Sequence, residues 1–348
     1  MPKKILYGVQ ATGNGHINRS REIVKALKQA GHEVHVIFSG RRKEDLWGVE
    51  AFEPYTVFRG MTFVVKQGKV KTFQTLRQLK LGRLSRDVKS FDAAGFELVL
   101  VDFEPVAARI ARRNRIPAIG LSHQCSFVHP IAAPRGGVGD RIVLKRFAPV
   151  NTAIGFHWHH FEQPILPPVM PDKFAADPVI EADKIMVYMP WETPADIQAA
   201  VQGFADHQFY IYGKFVDAPH EEGHLHFRPP SREGFLADLQ SSAGVIANAG
   251  FQLGSEALYL GKKLLVKPVA GQFEQESNVA VLESLSLGRG MATLDPDTMA
   301  AWLDADPPAR QHYPDVSRAI AEWIGGGDYS DPTGFTRSVW AAMAESGS

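Results

Sequence analysis

The sequence predicts an α/β chain built as two parallel-sheet domains in tandem. Three observations carry this. Short apolar runs alternate with helical patterns through most of the chain, the rhythm of strand–helix–strand units with both sheet faces covered. The composition breaks once, at 163–172, where QPILPPVMPD holds four prolines. The chain of 348 residues is too long for one ordinary core and suits two.

In the first half, 4–9 reads as a strand, 17–30 as a helix and 33–38 as a second strand. A strand at 97–102, a helix at 105–115 and a strand at 118–122 follow, and 153–157 reads as the last strand of this half. The proline-rich stretch suits a semi-rigid linker, since proline fixes φ and removes a donor. The expected division is 1–163, a linker at 164–172, a second domain at 173–330 and a terminal helical segment at 331–348, opened by Asp331–Pro332. The second half repeats the rhythm, with strands at 184–189, 208–212, 244–248 and 263–267. Helices are expected at 193–203, 231–241, 252–260 and 274–287.

Bulk numbers exclude several classes. Apolar residues make 45% and charged residues 22%, an ordinary globular balance, and the formal net charge is zero. Nothing global points to nucleic acid. The single cysteine, Cys125, permits no intramolecular disulfide and fits a reducing compartment. The N-terminal apolar run is too short for a signal segment, and no stretch reaches the length of a bilayer span. The expected location is cytoplasmic. Residues 63–91 carry eight Lys or Arg against Asp87 alone, a candidate peripheral contact with the inner face of a membrane or with an anionic acceptor.

The segment 244–288, GVIANAGFQLGSEALYLGKKLLVKPVAGQFEQESNVAVLESLSLG, carries the sharpest pattern. A buried strand ends at Asn248. A tight Ala249–Gly250 turn leads into a helix whose first turn holds Phe251, Gln252 and Gly254. Free amides and the positive end of the helix dipole meet there, and the glycines admit an anionic group such as a diphosphate. Glu256, one turn on, lies at the depth of a ribose. Glu274 and Gln275 open the next helix toward the same edge, an acid–amide pair suited to sugar hydroxyls.

These residues resemble the donor-binding motif of GT-B glycosyltransferases. The likeness is to the bacterial and archaeal branch related to the UDP-glycosyltransferases and the lipid-linked GlcNAc transferases. It implies α/β, GT-B architecture: two Rossmann-like domains facing across a cleft, with a C-terminal helix crossing back. It also implies roles: diphosphate on Gly250 to Ser255, ribose on Glu256, donor sugar on Glu274 and Gln275, with Asn278 matching downstream and the nucleobase near Phe227 and Arg228. Plant-type relatives carry histidine where Asn248 stands. Retaining relatives carry two glutamates with seven residues between them; here the first position is Asn248, which favours inversion.

Inversion needs a base for the acceptor hydroxyl. The loop Ala11-Thr12-Gly13-Asn14-Gly15-His16 follows the first strand and opens the first helix, at the sheet edge where α/β proteins bind ligands. His16 is the candidate base, with Asp102 or Glu104 as its acidic partner. Gly13 and Gly15 are candidate donor contacts. The same glycine pair, with Ser39-Gly40-Arg41-Arg42, partly resembles an NADP site, but the third glycine position is Asn18. The histidines of His157-Trp158-His159-His160 lack the ligand set of a zinc site. No cofactor or metal is expected beyond a nucleotide-sugar co-substrate. The expected partners are that donor, with UDP as the first choice, and a small-molecule, glycan or lipid-linked acceptor. A UDP-sugar 2-epimerase of the same fold and a non-catalytic nucleotide-sugar-binding protein remain alternatives.

Overall fold

Seven parallel strands form the first sheet, in the order β3-β2-β1-β6-β7-β8-β9. They are β1 (Lys4–Gln10), β2 (Glu33–Ser39), β3 (Tyr55–Phe58), β6 (Leu98–Asp102), β7 (Ala118–Ser122), β8 (Thr152–Phe156) and β9 (Ile165–Leu166). A two-residue pair, β4 (Val65–Lys66) and β5 (Lys69–Val70), stands apart. The computed structural model describes residues 2–46, 48–60, 65–66, 69–70, 81–131, 138–172, 174 and 178–346. Lys71, Arg77 and Lys80 of the basic stretch, with Leu76 and Leu79, lie outside the described residues.

The chain divides into two compact units. The first comprises Met1–Val64, Lys71–Asp172 and His312–Ser348; the second comprises Val65–Val70 and Lys173–Gln311.

In the first unit the central strands are apolar throughout because helices cover both faces. Helix α1 (Asn14–Gln29) lies on one face, and α3 (Pro105–Asn114) covers β1 and β6 on the other. Between them in the chain, α2 (Leu81–Ser90) buries Leu84 and Val88 in the α3 core and leaves Arg86 and Lys89 exposed. Glu104 caps α3 and Pro105 opens it, a pair that supplies acceptors and a preset φ where helical amides are unpaired. Gly8 lets α3 sit close on β1: a Cβ there would lie 2.5 Å from that of Ala107. Short α4 (His123–Ser126) and α5 (Val138–Phe147) follow β7.

The second sheet runs β12-β13-β11-β10-β14-β15-β16, parallel except for β12 against β13. Its strands are β10 (Glu181–Tyr188), β11 (Gln208–Tyr212), β12 (His220–Glu222), β13 (Leu225–Arg228), β14 (Ser242–Asn248), β15 (Lys263–Lys267) and β16 (Arg289–Gly290). Its helices are α6 (Pro194–Val201), α7 (Arg232–Ser241), α8 (Phe251–Tyr259), α9 (Phe273–Ser284) and α10 (Pro296–Leu303). Gly244 makes room for the Trp302 ring of α10, which would meet a Cβ at 2.7 Å.

Three expectations need correction. The strand near 153–157 is not the last of its sheet, because β9 lies inside the proline-rich stretch. That stretch packs as part of the first unit: Gly155 N donates to Pro164 O at 2.9 Å, His157 N donates to Leu166 O at 3.0 Å, and Val169 is buried. Prolines fit beside an edge strand, where one side of the ladder needs no donor. The return to the first unit begins at His312 rather than 331, with α11 (Val316–Gly326) packed on α1 ahead of α12 (Pro332–Ser346). No helix among the described residues is long and apolar enough to cross a membrane.

Candidate active site

The first unit gathers its polar residues where β1 and β6 end. Gly13 is the N-cap of α1 in extended conformation, with no side-chain cap, and Gly15 and His16 occupy the first turn. His16 Nδ1 lies 2.8 Å from Asp102 Oδ1. Asp102, the last residue of β6, is wholly buried. Arg19 Nη2 donates to Asp102 Oδ1 at 2.7 Å, and Arg19 Nε donates to Oδ2 at 3.2 Å. Ser20 Oγ donates to Oδ2 at 3.1 Å and lies 3.2 Å from the Tyr7 hydroxyl.

Burial works to raise the Asp102 carboxyl. The Arg19 guanidinium and then His16 overcome this and hold it below the usual carboxylate range. An ionised carboxylate only accepts, so the proton between the two groups belongs to Nδ1 of His16. Nε2 then carries the lone pair, the form a general base requires. Tyr7 is pushed far up by burial and by the Asp102 charge, so its hydroxyl stays protonated.

Glu104 has a different place. Its Oε1 accepts from Val106 N at 2.8 Å and its Oε2 from Ala107 N at 2.6 Å. Both oxygens thus cap α3, and Asp102 is the acid brought to His16. Burial pushes the Glu104 carboxyl up to about 7 against the Ser39 hydroxyl and the capping amides. Sequence reasoning missed Arg19, Ser20 and Tyr7. A signal existed: Ser20 falls on the inward stripe of α1 with Ile23, Val24 and Leu27, where a polar side chain needs a buried partner.

Beyond Asp102, on the opposite sheet face, lies a cavity of about 410 Å³ lined by Val101, Phe103, Gly120, Cys125, Leu144 and others. Burial, partly offset by a bond to Ser122, pushes the Cys125 thiol up to about 11, so it is no thiolate at neutral pH. His157 is buried with Nδ1 accepting from Trp158 N, and His159 and His160 stack at 4.6 Å. No group of three His, Cys, Asp or Glu among the described residues is arranged to hold a metal ion.

In the second unit, β14 ends at Asn248 and Gly250 caps α8, again with no side-chain cap. Nothing lies within 4 Å of where a Gly250 Cβ would be, so the first turn of α8 opens onto free space. Asn248 ties the turn together: Oδ1 accepts from Trp191 N at 3.4 Å, and Nδ2 donates to Lys267 O at 3.2 Å. Lys267 Nζ pairs with Glu192 at 2.6 Å, and both line a cavity of about 370 Å³ with Asp196 and Thr293. Glu192 and Lys267 had no motif to mark them.

The remaining expected donor residues fall in two groups. Phe251 and Gly254 are buried in α8, and the Ser255 hydroxyl donates back to Phe251 O at 2.8 Å. Gln252 Nε2 donates to Glu256 Oε1 at 2.9 Å within the buried part of α8. Gln275 Oε1 accepts from Val269 N at 2.9 Å, and Asn278 Nδ2 donates to Ala249 O at 3.0 Å. These two amides fix the loop after β15 and the turn before α8. Glu274 stands half-buried in the first turn of α9. Phe227 and Arg228 are placed otherwise. Phe227 points into the core and stacks on His220 at 4.7 Å, while Arg228 pairs with Glu221 at 3.3 Å and lies over Tyr210. Strand alternation commits the Phe227 ring to packing.

Solved structures share this fold at low identity. The glycotransferase of kitacinnamycin matches with a TM-score of 0.62 and 17% identity, covering 97% of this chain and 95% of that one. Spinosyn rhamnosyltransferase SpnG complexed with thymidine diphosphate matches at 0.60 and 15%, covering 96% and 99%. Glycosyltransferase SnogD from Streptomyces nogalater matches at 0.58 and 14%, covering 94% and 100%. The two sheets with their helices are thus the GT-B fold. Comparison with curated proteins returned no match. A family model described as glycosyl transferase family 1 matches residues 3–307, through the His16 loop and the whole of 244–288, and the chain accordingly belongs to that family of glycosyltransferases.

Proposed function

We propose that this enzyme moves a sugar from a nucleoside diphosphate sugar to an acceptor hydroxyl in one inverting step, with His16 as general base. The observation that carries the reading is the His16–Asp102 contact of 2.8 Å, which leaves Nε2 as the proton acceptor. The acceptor oxygen attacks the anomeric carbon as its proton passes to Nε2, and the nucleoside diphosphate leaves. The uncapped first turn of α8 stabilises the charge growing on the leaving diphosphate, so the step calls for no metal. Asn248 at the place of the first glutamate of retaining relatives supports inversion.

The second unit is assigned the donor, and the first the acceptor. Arg86 and Lys89 of α2 offer charge for an anionic acceptor or headgroup. Uridine diphosphate is the expected leaving group because it is the frequent one in the family the motif resembles. Thymidine diphosphate, bound in the SpnG structure, stands beside it as the nucleotide to compare.

The test is a thermal-shift screen followed by turnover. Selective stabilisation by UDP or TDP is expected, and stabilisation by NADP alone overturns the assignment. His16→Ala is expected to lower transfer by about 10²- to 10⁴-fold with little change in nucleotide affinity. Retained turnover in that variant removes His16 as the base, and sugar conversion with donor alone points to epimerisation instead.

A further inference from the structure

The acid beside His16 is already neutralised. Arg19 is only 3% exposed and Asp102 is fully buried, and the guanidinium grips both carboxylate oxygens, at 2.7 and 2.8 Å through Nη2 and at 3.2 Å through Nε. The guanidinium also lies over the Phe156 ring at 5.2 Å, and Nη2 is 3.3 Å from His16 Nδ1. A guanidinium has no acceptor, so it cannot take the Nδ1 proton. It can only hold Asp102 in place and add charge. With histidine neutral, Arg19, Asp102 and His16 sum to zero. When His16 takes a proton the group becomes a net cation around a buried carboxylate.

We propose that Arg19 is a positioning residue for the reaction, one that fixes Asp102 against Nδ1 and whose charge tempers the basicity of His16. The inference rests on the reading of His16 as the base. A lone His–Asp pair would gain a full ion pair on protonation and hold its proton tightly. With Arg19 present, the carboxylate orients the ring while part of its pull is cancelled. The other groups facing this cluster add no charge near neutrality. Tyr7 of β1 is held protonated by burial, as is Cys125 of α4, whose thiol also senses Asp102 and Arg19. Ser20 of α1 and Phe156 of β8 do not titrate.

The experiment is an imidazole NMR titration of the full chain, with the His16 signal assigned by its loss in His16→Gln. Arg19→Gln is expected to move the His16 midpoint upward by about one pH unit, since it removes a cation within about 4 Å. The acid limb of the pH–rate profile moves with it. Arg19→Lys keeps the charge and is expected to stay near the wild-type midpoint, with slower turnover from loss of the two-point grip. An unmoved midpoint in Arg19→Gln overturns the proposal, as does an equal movement in Arg19→Lys. Should Arg19→Gln fail to fold, Asp102→Asn is compared with Asp102→Asn/Arg19→Met. The midpoint is expected to rise from the first to the second, and equal midpoints overturn the proposal. The titration needs no substrate, so it reads Arg19 separately from the turnover test of His16.

Discussion

Asp102 and Glu104 stand two positions apart at the end of one strand, and simple alternation would send both to the same face. Phe103 lies between them with φ of +50°, in the left-handed region. That one dihedral ends the alternation. Asp102 stays on the α1 face with Arg19 and His16, and Glu104 swings to cap α3. No pattern of residue types announces a non-glycine residue at positive φ, which is why the two acids were indistinguishable beforehand. The burial of Glu104 has a thermodynamic consequence. The Glu104 carboxyl is raised to about 7 in the fold, above an ordinary value of 4.5. Between those values the folded chain binds more protons than the unfolded one, so stability falls as pH rises and levels off above about 7. The size is about 3 kcal/mol at most. Glu104→Gln is expected to flatten this fall between pH 5 and 7, measured by urea unfolding at a series of pH values. An unchanged slope would remove Glu104 as its source.

At the scale of elements, α1 and α8 are built alike. Each follows a parallel strand through a tight turn, begins at a glycine without side-chain cap, and turns its first amides toward the carboxyl edge of its sheet. The glycines, the buried strands and the helical stripes were legible because they follow from local chemistry. Strands 208–212 and 263–267 and the 231–241 helix were read to within a residue for the same reason. The short strands β3, β9, β12, β13 and β16 were not, since strands of two to four residues carry too few positions for a period. Close helix–strand contact has its own test at Gly8. A Cβ there would meet Ala107 Cβ at 2.5 Å and Glu104 Oε2 at 2.7 Å. Gly8→Ala is expected to destabilise the first unit by about 1–3 kcal/mol, read as a lower unfolding midpoint.

At the scale of the molecule, the first unit is completed by residues from the far end of the chain. Helix α11 covers α1, the Trp323 and Phe335 rings stack at 4.5 Å, and Trp340 Nε1 donates to Ile165 O of the edge strand β9 at 2.7 Å. The terminal segment thus closes a sheet edge left open by the proline-rich stretch. Trp340→Ala is expected to lower stability by about 2 kcal/mol through the lost bond and the half-buried ring. UDP or TDP binding by the second unit is expected to stay unchanged, checked by thermal unfolding with and without nucleotide.

Local chemistry alone determined the α/β class, the two repeated halves, the glycine turns and the resemblance of 244–288 to a donor motif. It also put His16 and Asp102 on a short list, because a parallel sheet delivers the ends of its strands to one edge. The partner of His16, the burial of Arg19 beside it and the commitment of Phe227 to the core were decided only in three dimensions. Each depends on which face a side chain takes after a strand ends, or on packing between segments far apart in the chain. Those choices are set by dihedrals and contacts that no local period encodes.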